Sequence, residues 1–381
     1  MSGAPPAAGE RARVQPQDPV RRMLALEQSL RAVAFVQTPG GRLCLYAVAC
    51  CAAMPLLGPG AAVLSVAAAW AATRYAAHRT SIILGTSWGL TLVEAARGDN
   101  DFAEKIACVV AQEHWAALGP PSLAVCALLV LVAALWLAMQ CVQRQPACLL
   151  ARRPFVCMLG VVVALLALSH PLISHGTLRV MAWSMVVVLT PFVWFFPLAV
   201  ADLRTRNADP AAMQLALQRP FWSHGYLPIG KGAAYLRKHY APLPQEQAIT
   251  QIKGVKLLLW SNVLLLLSQA LTWVFSDWMQ LPRLITAIDA FVQGHPLPVA
   301  TGWMVLVYGT FRYALQIAIW AHLFVGLARM AGYRLPRGSW RPLESRTLME
   351  YFNRSHFYFK EILVDLFFIC LLYTSPSPRD A

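Results

Sequence analysis

Five apolar runs, each of roughly twenty residues, decide what this chain can fold into. They cover residues 121–142, 155–172, 180–200, 255–275 and 301–328. A helix of that length just crosses the hydrocarbon of a bilayer, and inside lipid only a helix or a closed barrel satisfies its own backbone. Composition agrees. Asp, Glu, Lys and Arg supply 13% of the 381 residues and hydrophobic types 58%, with a mean hydropathy of +0.51. A soluble domain draws about 25% of its residues from those charged types and needs them to cover its surface. The expectation is an all-α, polytopic integral membrane helix bundle.

Three shorter apolar segments precede these runs. Residues 43–57 and 61–75 flank Gly58-Pro59-Gly60, which reads as a tight hairpin between two short or tilted spans. Residues 81–96 form a third, interrupted by Gly85 and Gly89. Pro191 and Pro197 are expected to bend or shorten the span 180–200. Eight spans then alternate across the membrane. With the N-terminus inside, one side collects Arg74, Arg79, Arg144, Arg152, Arg153 and the basic residues of 204–256 and 329–354. The other side sets Arg97, Lys105, Arg179 and Arg283 against Asp99, Asp101, Glu104, Glu113, Asp277 and Asp289. That asymmetry predicts a cytoplasmic N-terminus in a multi-pass protein; the expected location is a bacterial inner membrane. The net charge of +14 is then a matter of topology and contact with membrane lipid headgroups, and no nucleic-acid partner is expected.

The chain divides accordingly. Residues 1–42, with six arginines, read as a disordered or interfacial cytoplasmic lead, with a short amphipathic helix within 20–36 as one form of it. Residues 43–200 carry spans one to six. Residues 201–254 form a cytoplasmic amphipathic segment, interfacial or partly re-entrant, in which Asp209 can cap a helix that Pro210 opens. Residues 255–328 carry spans seven and eight. Residues 329–369 form a basic-aromatic interfacial segment leading into a ninth apolar helix, and 370–381 a tail of different character.

Few residues offer chemistry. The nine cysteines include no C-x-x-C pair and read as small apolar packing. Gly230-Lys231-Gly232 lacks the spacing of a phosphate loop. His170 and His175 have no third ligand of matching spacing, so no metal is expected and local hydrogen bonding accounts for them. Arg312 and His322 are costly at membrane depth and read either as lining of a polar chamber or as groups satisfied by packing partners. Ten residues separate them, about 15 Å along a helix, so they do not form one catalytic pair. Near the C-terminus Arg341, Arg346, Arg354 and Lys360 alternate with Glu344, Glu350, Glu361 and Asp365 among interleaved aromatics. Glu350 and Arg354 have the spacing of a helical ion pair, as His356 and Lys360 have that of neighbours on one face.

That last segment resembles the membrane-bound O-acyltransferase family. Ser345-Arg346-Thr347 matches the opening of the family's Ser-Arg-Ser stretch, Tyr351-Phe352 its Phe-Trp pair, and Arg354 and His356 the basic and polar positions that follow. Ser355 departs from the family's Trp. The resemblance covers about 25 of the 381 residues. It implies transfer of an acyl group from a thioester donor, acyl-CoA or an acyl-carrier protein, to a hydroxyl acceptor, with no tightly bound cofactor. It gives Arg346, Arg354 and His356 supporting roles. The family's general-base histidine lies in a later helix and is expected beyond the end of this chain. The terminal Leu371–Ala381 resembles translated adapter sequence, so native sequence is expected to end after about residue 369 and the fragment alone to be inactive. A multi-span transporter and a non-catalytic membrane protein are the rival classes, the first favoured by interrupted helices with ionisable groups at depth.

Overall fold

The computed structural model describes residues 26–98, 101–193, 195–203, 210–223, 232–339, 344–355, 357, 358, 360 and 364. Sixteen α-helices run through them: α1 Leu30–Gln37, α2 Pro39–Leu57, α3 Pro59–Arg74, α4 Arg79–Ala96, α5 Asp101–Gln112, α6 Pro120–Arg144, α7 Leu149–Arg152, α8 Pro154–Ser169, α9 Gly176–Leu189, α10 Phe195–Leu203, α11 Ala211–Ala216, α12 Ala233–Lys238, α13 Pro244–Thr272, α14 Leu284–Val292, α15 Val299–Met330 and α16 Leu348–Ser355. Among the described residues the only β-type pairing is an isolated bridge between Tyr240 and Tyr333. The protein is a multi-pass, all-helical membrane bundle.

Proline sets many of the helix starts. Pro39, Pro59, Pro120, Pro154 and Pro244 each occupy the first turn of a helix, where the missing N–H costs nothing and φ is already helical. Gly58 ends α2 at φ 77° and hands the chain directly to α3, so the expected hairpin forms. Pro191 acts as expected, whereas α10 runs on through Pro197, which falls in its first turn. The helical path through Gly176–Phe192 and Phe195–Leu203 bends by 63°, with Pro191 in a 3-10 turn at the end of the first limb.

All eight expected spans are helical, but they are not equals. Pro39–Leu57, Pro120–Arg144, Pro244–Trp278 and Val299–Met330 are long and apolar enough to cross a membrane, and the bent pair makes a fifth if taken as one span. α8 is shorter, at 16 residues, and so is α3. Two expectations are corrected. α4 runs unbroken through Gly85 and Gly89, since an interior glycine costs a helix only about 1 kcal/mol. α13 starts at Pro244, inside what reads as a loop, because its first turns bury Ala248 and Ile252 against Val33 and Val36 of α1. α13 with its π-helical end Trp273–Trp278 spans 35 residues, about 52 Å at 1.5 Å per residue. It therefore projects well past a ~30 Å hydrocarbon layer.

Two apolar cores hold the bundle. One gathers α2, α3, α13, α15 and residues 216–222 and 233–236; the other gathers α5, α6, α9 and α10. α4 contributes to both, through Ile83 and Leu90 on one side and Trp88 and Ala95 on the other. α5, an amphipathic helix outside the eight runs, buries Phe102, Ile106 and Val109 in the second core.

The topology sorts the two ends. One end collects the start of α2, the end of α3, the starts of α4 and α13 and the end of α15; it carries Arg42, Arg74, Arg79, Arg237 and Arg334 and is called the basic end below. The opposite end carries Glu113, Asp277 and Asp289, with exposed Trp273, Trp278 and Trp303 suited to a membrane–water boundary.

Candidate functional site

The seam between the cores is polar, and the segment expected to be interfacial or partly re-entrant fills part of it. Gln214, Gln218, Arg219, Phe221, Trp222 and Ser223 are all buried. Buried polar groups are mostly hydrogen-bonded; α4 supplies three of the contacts here, while the Trp222 Nε1–H and Gln218 Oε1 have no hydrogen-bond partner among the described residues. Ser87 Oγ accepts from the Phe221 N–H at 2.9 Å, Glu94 accepts from Arg219 at 2.9 Å, and Trp88 Nε1 donates to the Leu215 carbonyl at 3.1 Å. Residues 211–223, expected to be interfacial or partly re-entrant, are packed into this seam. Pro210, not Asp209, stands at the N-cap of α11; Asp209, Gly230 and Lys231 lie outside the described residues.

Asp202 closes this layer from α10. Its carboxylate accepts from the Ala234 N–H at 3.0 Å and from Gln214 Nε2 at 3.3 Å. Gly232 makes that possible. It has φ 111°, and a Cβ there would meet Asp202 Oδ2 at 2.5 Å.

Two cavities open at the basic end. The larger, about 250 Å³, is lined by Arg79, Met213, Arg237, Tyr240 and Tyr333. The Arg79 guanidinium lies 3.8 Å from the Tyr240 ring centre, and its Nε donates to the Ala72 carbonyl at 3.0 Å. Below Tyr333, at 5.3 Å between rings, lies the buried Trp222. The smaller cavity, about 150 Å³, lies between α1, α2, α3 and α13. Gln247 lines it and donates to the Tyr240 hydroxyl at 2.7 Å, so one hydrogen bond joins the walls of the two cavities.

The expected site residues fall in separate places. His322 is half-buried in α15, and its Nδ1 lies 2.7 Å from the Ala318 carbonyl oxygen. A carbonyl only accepts, so Nδ1 carries a proton, and in the neutral ring Nε2 is the acceptor. Arg329 and Arg337 lie within electrostatic range of the ring. After α15 the chain turns back along the helix, held where Arg329 Nε and Nη2 donate to the Leu335 carbonyl at 3.0 and 2.6 Å. A Cβ on Gly338 would sit 3.2 Å from Ala321 Cβ, which brings this return path beside the turn that carries His322.

Arg312 is elsewhere, toward the other end of α15, against the Tyr308 hydroxyl. That hydroxyl donates to Thr272 Oγ1 at 3.4 Å and lies 3.3 Å from Ser276 Oγ in the π-helical turn. His170 accepts from the Leu172 N–H at 3.3 Å, a local contact. Among the described residues no group of three or more His, Cys, Asp or Glu could hold a metal.

Arg346 and Arg354 sit at the start and end of α16. Thr347 Oγ1 accepts from the Glu350 N–H at 3.1 Å, while Glu350 accepts from the Arg346 N–H at 2.8 Å and from Arg354. This is a capping box shifted by one residue. The Arg346 N–H and the Arg354 guanidinium hold the Glu350 carboxyl below the usual carboxylate range. The Arg346 side chain is exposed and that of Arg354 half-buried. His356, Arg341, Glu361, Asp365 and the tail lie outside the described residues. Just beyond α16, Tyr358 is buried and donates to the Pro336 carbonyl at 2.7 Å, and the Phe357 N–H donates to the Gly338 carbonyl at 3.1 Å.

The seam residues were missed because nothing in Arg219-Pro-Phe-Trp-Ser separates a headgroup anchor from a buried plug. The available signal was the pair Gln214 and Gln218, amides one helical turn apart that an exposed basic segment has no need of. Comparison with protein-family models, with curated proteins and with solved structures finds no match to this chain.

Proposed function

We propose that the protein is a membrane-embedded O-acyltransferase that moves an acyl group from a thioester donor to a hydroxyl acceptor. The observation that carries this reading is the docking of the acyltransferase-like segment. Phe357 and Tyr358 fasten it to Pro336 and Gly338, beside the part of α15 that bears His322 and Arg329. A segment that only introduced the next span would not need to be tied back against α15 beside its histidine.

In this reading the donor approaches the basic end, cytoplasmic by its charge. The larger cavity with Arg79 and Arg237, together with Arg346 and Arg354, offers guanidinium forks to the phosphates of acyl-CoA or of a carrier protein's prosthetic arm. The acceptor oxygen attacks the thioester carbonyl, the C–S bond breaks, and the hydroxyl proton passes through a general base to the leaving thiol. On this reading His322 serves the acceptor side, its ring oriented by the contact of Nδ1 with the Ala318 carbonyl.

The test uses the purified chain in nanodiscs. Binding of a radiolabelled long-chain acyl-CoA and of acyl-carrier protein is measured first, then transfer to a panel of lipid and sugar hydroxyls. Donor binding with transfer supports the reading. If no thioester donor binds, it fails, and solute flux in proteoliposomes would put the transporter class, favoured by the 63° bend, in its place.

A further inference from the structure

We propose that the smaller cavity at the basic end binds the phosphate of an anionic phospholipid headgroup. This does not rest on the acyl-transfer reading. The cavity holds about 150 Å³, below the ~300 Å³ at which small-molecule pockets begin, so it suits one headgroup phosphate and not a nucleotide. Arg42 and Arg74 line it, and no carboxylate does among the described residues. Neither arginine has an acidic partner among those residues; Arg74 has only the Tyr75 ring, 5.8 Å away.

The wall fixes the two guanidinium-bearing helices. Tyr46, one turn beyond Arg42 on α2, places its hydroxyl 3.2 Å from Thr73 Oγ1 on α3. Gln251 of α13 donates to the same hydroxyl at 2.9 Å. The amide of Gln247 is spent on Tyr240 and on the Ala241 carbonyl, and that of Gln251 on Tyr46 and the Met330 carbonyl. The arginines remain as the charged donors for a ligand, beside the Trp70 indole N–H, and two planar forks suit a phosphate better than they suit any neutral group.

The surroundings favour a lipid source. Trp70 lines the cavity and is 44% exposed, while Leu43 beside Arg42 is 74% exposed. Leu26 and Leu30 add exposed apolar surface on the approach to α1. A phosphate bound here would leave acyl chains against apolar side chains at headgroup depth.

The full chain, purified in neutral detergent, is tested for retained lipid by native mass spectrometry and for its thermal midpoint. The additions are phosphatidylglycerol, phosphatidylcholine, inorganic phosphate and glycerol 3-phosphate. The expected result is one retained phosphatidylglycerol per chain and a raised midpoint with that lipid alone. Arg42→Gln with Arg74→Gln should weaken retention about tenfold or more. Both side chains are exposed, so folding should survive. Arg42→Lys with Arg74→Lys keeps the charge but loses the forks, and should fall between that pair and the parent. Arg144→Gln with Arg153→Gln removes equal charge elsewhere at the basic end and should retain lipid fully. Equal retention by the Arg42/Arg74 glutamine pair, equal loss in the Arg144/Arg153 pair, or equal stabilisation by free phosphate would each overturn the proposal.

Discussion

Gly254 of α13 and Gly326 of α15 face each other where the two longest helices cross, and neither has room for a side chain. A Cβ on Gly254 would lie 2.9 Å from the Gly326 carbonyl oxygen, and one on Gly326 would lie 3.2 Å from that of Gly254. Inside a bilayer, helix association depends on such close backbone approach, since lipid removes the hydrophobic drive between helices.

The two positions should differ in tolerance. At Gly326 the nearest atoms to a new Cβ are Leu258 Cδ2 and Cγ, 2.8 and 2.9 Å away, in a buried side chain that still shifts more readily than backbone. At Gly254 it is backbone oxygen, with the Met330 nitrogen at 3.3 Å. Gly254→Ala is therefore expected to destabilise by about 1–3 kcal/mol and Gly326→Ala by less, read as thermal midpoints of the purified protein. Gly85→Ala is the control. Nothing lies within 4 Å of its Cβ, so better helix propensity should leave it neutral or slightly stabilised. A reversed order of Gly254 and Gly326 would count against the crossing described.

These contrasts also mark how far the sequence could be read. Gly58-Pro59-Gly60 and Pro191 act within a few residues of themselves, so the hairpin and the bend were visible in advance. The extra turns of α13 were not, because Ala248 and Ile252 are helical and buried through partners more than 200 residues away, on α1. The same holds for the seam. Phe221 and Arg219 are placed by α4, and an Arg beside aromatics reads equally well as a headgroup anchor. Of the candidate site, Glu350 and Arg354 were legible from spacing alone, whereas the neighbours of His322 come from a chain reversal that no periodicity announces.

Acid should loosen the end opposite the arginines. Glu113 accepts from the Gly176 N–H at 2.7 Å and pairs with Arg179, which also donates to the Ser169 carbonyl at 3.1 Å and to Gln112 at 2.8 Å. The Gly176 N–H and the Arg179 guanidinium hold the Glu113 carboxyl below its ordinary value of 4.5. A carboxyl depressed in the folded state stabilises fully above its unfolded pKa and loses that contribution as pH falls through the folded one. The thermal midpoint should therefore drop below about pH 4.5 in the parent. Glu113→Gln should start lower at pH 7 and lose less on acidification. Parallel pH profiles for the two proteins would remove Glu113 from this role.

Gly232 and Asp202 tie α12 to α10. Gly232→Ala would force φ 111° on a residue with a Cβ and press that Cβ to 2.5 Å from Asp202 Oδ2. The expected loss is about 1–3 kcal/mol. Asp202→Ala relieves the contact but leaves the Ala234 N–H and Gln214 Nε2 without their acceptor. The double variant should then be less destabilised than the sum of the two single variants. Strict additivity in thermal midpoints would separate the two residues.

Acyl transfer itself divides the basic and aromatic residues by role. Arg346→Ala and Arg354→Ala should chiefly weaken donor binding, because guanidinium forks act on phosphates remote from the reacting carbon. Arg354→Ala should also loosen α16, since Glu350 would lose its ion pair, whereas the exposed Arg346 gives its side chain to no capping contact among the described residues. His356→Ala, at the family-like polar position, should reduce turnover with a smaller effect on donor binding, as a lost orienting hydrogen bond does. His322→Ala should lower turnover without moving donor affinity if its Nε2 lines the acceptor side of the chamber. The measurements are donor binding and single-turnover transfer for each variant in nanodiscs, with thermal midpoints to separate folding from function. If His356→Ala alone abolishes turnover with donor binding intact, His356 takes the general-base role and the division proposed for it is wrong. If Arg346→Ala leaves donor affinity unchanged, the phosphates are held elsewhere, and Arg79 and Arg237 around the larger cavity become the residues to replace next.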